Sequence, residues 1–202
     1  MSTAAAPNAA ELAQAQAKRV RALISVSQAR LANSWLRLGA SAIVAAVATS
    51  LVDNVWPLIW LAGLAGVILY DRHVYTRLLK QCEGAKLAPP IRDVFVWTFA
   101  GSAYGNILAA MFWFAPYVPG ETLAVFYICG GLANAAATLR SSPTLSLAGA
   151  GPTIITLFAL PIASFILGGA QNSLELMPLV GGFLLLGFCV NLWRSLVAAD
   201  AA

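Results

Sequence analysis

The sequence predicts an all-α integral membrane protein with six transmembrane helices, both termini cytoplasmic, preceded by an amphipathic cytoplasmic helix. Three observations predict it. Of 202 residues, 60% are hydrophobic and only 10% charged, against about a quarter charged in soluble domains; the mean hydropathy is +0.79. A water-soluble core cannot absorb that much apolar surface at this length, whereas lipid covers the excess. The apolar residues fall into six runs, and every Lys and Arg lies on one side of a chain threaded through them.

Residues 1–10 are Ala-, Ser- and Pro-rich and read as a disordered tail. No apolar run follows a short basic start, so no cleavable signal peptide is expected. Residues 11–37 are rich in Ala, Gln, Leu, Arg and Lys without Gly or Pro, a helix-forming composition. At 100° per residue Val20, Leu23, Ile24, Leu31 and Trp35 share one face, with Lys18 opposite and Arg19, Arg21, Arg30 and Arg37 flanking. Such a helix lies on anionic lipid, with these five basic residues at the headgroups; a short coiled coil between protomers fits the same pattern.

The membrane domain is expected over 38–193. Its first two spans, 38–52 and 55–70, form a hairpin around Asp53-Asn54. A basic cytoplasmic loop, 71–93, contains Arg72, Arg77, Lys80, Lys86 and Arg92 and ends in the extended break of Pro89-Pro90. A four-helix bundle, 94–193, follows, with spans over 94–115, 122–139, 152–167 and 174–193, and a Ser/Pro/Gly loop over 140–151. Several of these runs are shorter than the roughly 20 residues of an untilted span. Residues 194–202 have no Gly or Pro stop and read as a cytoplasmic exit helix.

Charge sets the orientation. With the N-terminus inside, all twelve Lys and Arg residues are cytoplasmic, while the external turns hold only Asp53, Glu121 and Glu175. Cytoplasmic retention of Lys and Arg gives this asymmetry, as expected of a multi-pass protein with both termini cytoplasmic. Trp56, Trp60, Trp113 and Tyr117 are expected at the outer interface, and Trp35, Tyr70, Trp97 and Trp193 at the inner one.

The chemistry-bearing motifs are few. Apart from Glu175, at the second position of the sixth, no Asp, Glu, Lys, Arg or His falls inside an expected span, which argues against a proton-driven transporter. One histidine, His73, and three separated cysteines, Cys82, Cys129 and Cys189, give no metal or haem ligand set, so no metal or cofactor is expected. The sequence has no phosphate-binding loop, no GxSxG and no HExxH, and the cytoplasmic segments are too short for a catalytic domain; no catalytic residue and no enzyme activity are assigned. No basic face interleaves with stacking aromatics, so nucleic acid is not an expected partner.

The packing signals are more specific. Gly101 and Gly105 form a GxxxG around Tyr104, next to Asn106, while Gly130, Gly131 and Asn134 form a second group of small and amide residues, one turn before Thr138. These eight residues are candidates for helix packing or for a pocket, with Asn106 and Asn134 a conceivable interhelical pair. Pro161 lies inside the fifth span, where it removes one backbone hydrogen bond and is a possible hinge.

The six-span, N-in arrangement, with the block from Val96-Trp97 through the small-residue fourth span and Arg140-Ser141-Ser142-Pro143 to Pro161, resembles the membrane input regions at the N-termini of bacterial histidine kinases and diguanylate cyclases. The resemblance covers about residues 35–197. It implies a homodimeric sensor whose last helix, from Arg194, passes a signal to a cytoplasmic effector domain. Two other classes fit the residues: a small transporter or channel subunit with a neutral pathway lined by Tyr104, Asn106, Asn134 and Thr138, and a scaffold that holds another membrane protein through its glycine faces.

Overall fold

A computed structural model of the chain describes residues 9–52, 54–85, 87–115 and 120–168, together with the single positions 183, 187, 190, 191 and 194. Seven helices form among them: α1 (Ala9–Ala32), α2 (Ser34–Val52), α3 (Trp56–Cys82), α4 (Arg92–Gly105), α5 (Ile107–Trp113), α6 (Gly120–Leu139) and α7 (Pro143–Gly168). Among the described residues there is no strand. By length and composition, four stretches among the described residues can cross a membrane: Ser34–Leu51, Arg92–Trp113, Gly120–Leu139 and Pro143–Leu167. The expected sixth span, the exit helix and the 1–8 part of the tail lie outside the described residues, apart from five helical positions between 183 and 194.

α1 and α2 are nearly one rod. The backbone ladder runs through the break at Asn33, whose N–H donates to Ala29 O at 3.1 Å and whose carbonyl accepts from Arg37 at 3.0 Å. The Ser34 hydroxyl contacts the Arg30 and Leu31 carbonyls at 2.9 and 3.0 Å, a side-chain competition with the ladder that accounts for the irregular turn. α4 and α5 are similarly continuous through Asn106, whose N–H is shared between the Ser102 and Ala103 carbonyls.

Two expected loops are helical. The 71–93 interval is not a loop for its first half, because α3 continues to Cys82. Tyr75, Leu78 and Cys82 keep the helical period on the buried face, against Val20, Leu23 and Val26 of α1. Gly84, at φ 74°, ends it in the left-handed conformation that favours glycine. The 140–151 interval is likewise not a loop, since α7 starts at Pro143. Proline is suited to the first turn, and Leu145, Ala148 and Gly149 are buried. α7 passes through Pro152 and Pro161. Pro152 cannot serve the Ala148 carbonyl, and at the neighbouring Gly149 carbonyl the Ser102 hydroxyl donates a hydrogen bond of 2.6 Å from α4.

The helices close into a ring. The α1–α2 rod packs along α3, α3 on α4, α4 on α7, α7 on α6, and α6 returns to α1, while α5 covers the far half of α6. One hydrophobic cluster centres on Trp60, Leu64, Leu108, Phe112, Ile128 and Leu157. A second joins α1 to the near ends of α3, α4, α6 and α7. The hollow of the ring lies where the two clusters meet.

Candidate functional site

The hollow is a cavity of about 550 Å³, within the size range of small-molecule sites. Seven of the eight candidate residues line it: Gly101, Gly105, Asn106, Gly130, Gly131, Asn134 and Thr138. The glycines make the space. A methyl group at Gly130 would meet nothing within 4 Å, one at Gly105 only the Tyr127 hydroxyl at 3.9 Å, and one at Gly131 only Thr153 at 3.5 Å.

Tyr104 is not a lining residue. Its hydroxyl donates to Trp60 O at 3.2 Å, and Trp60 Nε1 donates to Tyr104 O at 3.2 Å, so the two side chains staple α3 to α4. The close approach between those helices uses a glycine that the GxxxG pattern did not single out: a Cβ at Gly63 would run into the Tyr104 ring and hydroxyl, while one at Gly101 would lie 3.1 Å from Val67. Asn106 and Asn134 do not pair either. Asn106 Nδ2 donates to Thr153 Oγ1 at 3.2 Å, and Thr153 Oγ1 is 3.3 Å from Ser102 Oγ, which makes a small amide–hydroxyl cluster between α4 and α7. Thr138 donates to Asn134 O at 2.7 Å, back into its own helix.

The end of the cavity nearest α1 is charged. Arg37 Nη1 donates to Asp71 Oδ2 at 2.8 Å, and Arg30 Nη1 lies 4.0 Å from the same oxygen. Arg30 is 6% exposed, and its guanidinium lies over the Tyr75 ring, 5.6 Å from the centroid. The Tyr75 hydroxyl in turn is 2.8 Å from Thr98 Oγ1. Arg30 and Arg37 are therefore not headgroup contacts: the helix carries them inward because they sit on the α3 side of the rod, where Asp71 waits. Lys18, Arg19 and Arg21 are exposed, as expected. Arg72 braces the same junction from outside, reaching Leu31 O at 3.4 Å and stacking over Trp35 at 5.1 Å.

The pathway through the hollow is thus not neutral, and the reason is geometric. Arg37 and Asp71 fell just outside the expected span ends, but α2 begins at Ser34 and α3 continues past Tyr70. Trp60 and Trp113 are buried, with Trp113 Nε1 donating to Ser164 Oγ at 2.9 Å, whereas Trp35 and Trp56 are exposed. Tyr117 and Trp193 lie outside the described residues. Pro161 is buried within a continuous α7. Cys82 is a free thiol, and among the described residues no cluster of His, Cys, Asp or Glu could hold a metal ion.

Comparison with protein-family models, curated proteins and solved structures finds no match. The functional reading therefore rests on the site.

Proposed function

We propose that the chain is a membrane-embedded sensory module that binds a small molecule in its helical hollow and passes its occupancy to a cytoplasmic effector. The observation that carries this reading is the identity of the cavity's polar wall: Arg30, Asn33 and Arg37, which belong to the α1–α2 rod. A ligand that alters the Arg30–Asp71–Arg37 contacts acts directly on the junction between α1, which packs outside the apolar stretches, and α2, which lies within one. Occupancy and rod geometry are then coupled through the same contacts, as a two-state switch requires.

In this reading the chain crosses a bacterial inner membrane six times, with both termini cytoplasmic. The one-sided distribution of all twelve basic residues supports it. So does the short α2–α3 connection, because a second helix joined by so few residues must return through the bilayer. Trp56–Tyr70 supplies its apolar part, and the Arg37–Asp71 pair then sits at the inner boundary of the hydrocarbon. The module works as a homodimer, and its last helix leads from Arg194 into a kinase- or cyclase-like output. No chemistry of its own is assigned to it.

The test is a fusion of such an output domain after Ala202, with the joint shifted in single-residue steps over a helical turn. A sensory module gives output that rises and falls with helical phase. Output indifferent to phase would reject this function.

A further inference from the structure

We propose that the cavity takes a single-chain amphiphilic acid, a carboxylate head on an unbranched apolar tail, admitted sideways from the bilayer. The inference deepens the sensory reading by naming the chemical class of its ligand, and it rests on that reading only for its biological use.

Charge identifies the head. Three charged residues line the hollow, Arg30, Arg37 and Asp71. Two guanidiniums share one carboxylate oxygen, which leaves one excess positive charge in a poorly solvated place. Unmatched buried charge is costly. The Arg30 Nε–H is moreover buried with no hydrogen-bond partner among the described residues, and the guanidinium fork is suited to a planar carboxylate. A monoanion placed beside the two guanidiniums restores neutrality.

Shape and surface identify the tail. The lining runs from Leu64 to Asp71 on α3 and from Phe126 to Thr138 on α6, the latter about 18 Å of helix at about 1.5 Å per residue. Its charged end is next to α1, and away from it the walls become Gly101, Gly105, Gly130, Val44 and Leu64. The hollow is therefore elongated along the helices and cationic at one end, and farther on it is walled by glycines and apolar side chains beside the Ser102–Asn106–Thr153 cluster. One side of it lies between α2 and α6, which supply Leu36, Ala40, Val44 and Phe126 to the lining. The rim there is apolar and exposed, with Leu36 at 71% and Phe126 at 69%. A rim of that kind faces acyl chains, so a ligand already dissolved in the membrane enters without crossing water.

The experiment measures binding of radiolabelled decanoate to the purified full chain in discs of zwitterionic lipid. Unlabelled decanoate should displace the label, and decan-1-ol, with the same tail and no charge, should need at least about tenfold more, the scale of a hydrogen bond to a charged group. Arg30→Met should weaken decanoate binding by a similar factor while leaving the alcohol unaffected. Gly130→Leu, which fills open space in the mouth without touching the ion cluster, should reduce binding at unchanged thermal unfolding. The proposal is overturned by equal potency of acid and alcohol, by undiminished binding in the Gly130→Leu protein, or by displacement of the label by phosphatidylglycerol at lower concentrations than decanoate. The last outcome would assign the site to a phospholipid headgroup. Because binding is read on the module without any output, a phase-insensitive fusion would reject the sensory function and leave this site intact, and the reverse holds equally.

Discussion

Arg37 and Asp71 stand 34 positions apart in sequence and meet at 2.8 Å where α2 and α3 pack side by side. The carboxylate is also the nearest anion to Arg30, at 4.0 Å. One acidic residue thereby holds two cations at the wall of a cavity that six helices line.

Removing that acid is the most damaging conservative change expected in the fold. Asp71→Asn leaves both guanidiniums without their counter-charge, and breaking a buried pair from one side costs about 3–5 kcal/mol. The double variant Asp71→Asn with Arg37→Gln should recover part of the loss, because it removes one of the orphaned cations. Denaturant or thermal unfolding in a fixed detergent measures both. A loss below about 1 kcal/mol, the range of solvated pairs, would show the pair to be water-exposed.

Glycines that look alike in sequence should respond differently. A Cβ at Gly120 would collide with the Phe112 carbonyl, a backbone atom that cannot turn aside, whereas Gly130 faces open space. Gly120→Ala should destabilise by about 1–3 kcal/mol, the usual range for overpacking. Gly130→Ala should be neutral or stabilising by up to about 1 kcal/mol, since alanine replaces glycine inside a helix. Paired thermal melts decide it.

The amide–hydroxyl cluster gives a graded pair of substitutions. Thr153→Val removes the acceptor of the buried Asn106 Nδ2 and should cost about 1–3 kcal/mol, the penalty for an unsatisfied buried donor. Thr153→Ser keeps the hydroxyl and should cost less. Equal losses would mean that the methyl group, not the hydrogen bond, matters at this position.

The seam between α1 and α3 should be sensitive to alkali. Burial pushes the Cys82 thiol and the Tyr75 phenol above their ordinary values, the latter against the opposing pull of the neighbouring Arg30. The folded state favours the protonated forms, so this stabilisation is full below the unfolded-state values and is lost as pH rises through the higher folded ones. α1 should therefore loosen first in the alkaline range. Maleimide labelling of Cys82, 2% exposed, should be slow at neutral pH and accelerate on that loosening. Rapid labelling at neutral pH would contradict the packing of α1 on α3.

Much of the architecture was legible from local chemistry. The apolar runs at 38–52, 94–115 and 122–139 became α2, α4–α5 and α6 with ends shifted by a few residues, because a helix buries its own polar backbone and needs only apolar side chains to enter lipid. The amphipathic face of α1 was legible in Val20 and Leu23, although its partner was taken to be lipid and is α3. Composition misled at 71–82 and 143–151, where polar, proline-rich or glycine-rich residues read as loops. Their helical state is decided by the neighbours against which Tyr75, Leu78, Leu145 and Ala148 pack.

The site divides along the same line. Small residues and amides at Gly101, Gly105, Asn106, Gly130, Gly131, Asn134 and Thr138 marked the hollow, since residues without bulk are where space can form. Which of them touch, and that Tyr104 belongs to a staple with Trp60 instead, depends on the rotation of each helix about its axis, which no local pattern encodes. The charged wall was hidden for a sharper reason. A basic residue near a span end looks the same in sequence whether it meets lipid headgroups or an aspartate on the next helix, and only the packing of α2 against α3, which sets Arg37 and Arg30 beside Asp71, distinguishes a surface charge from a buried, paired one.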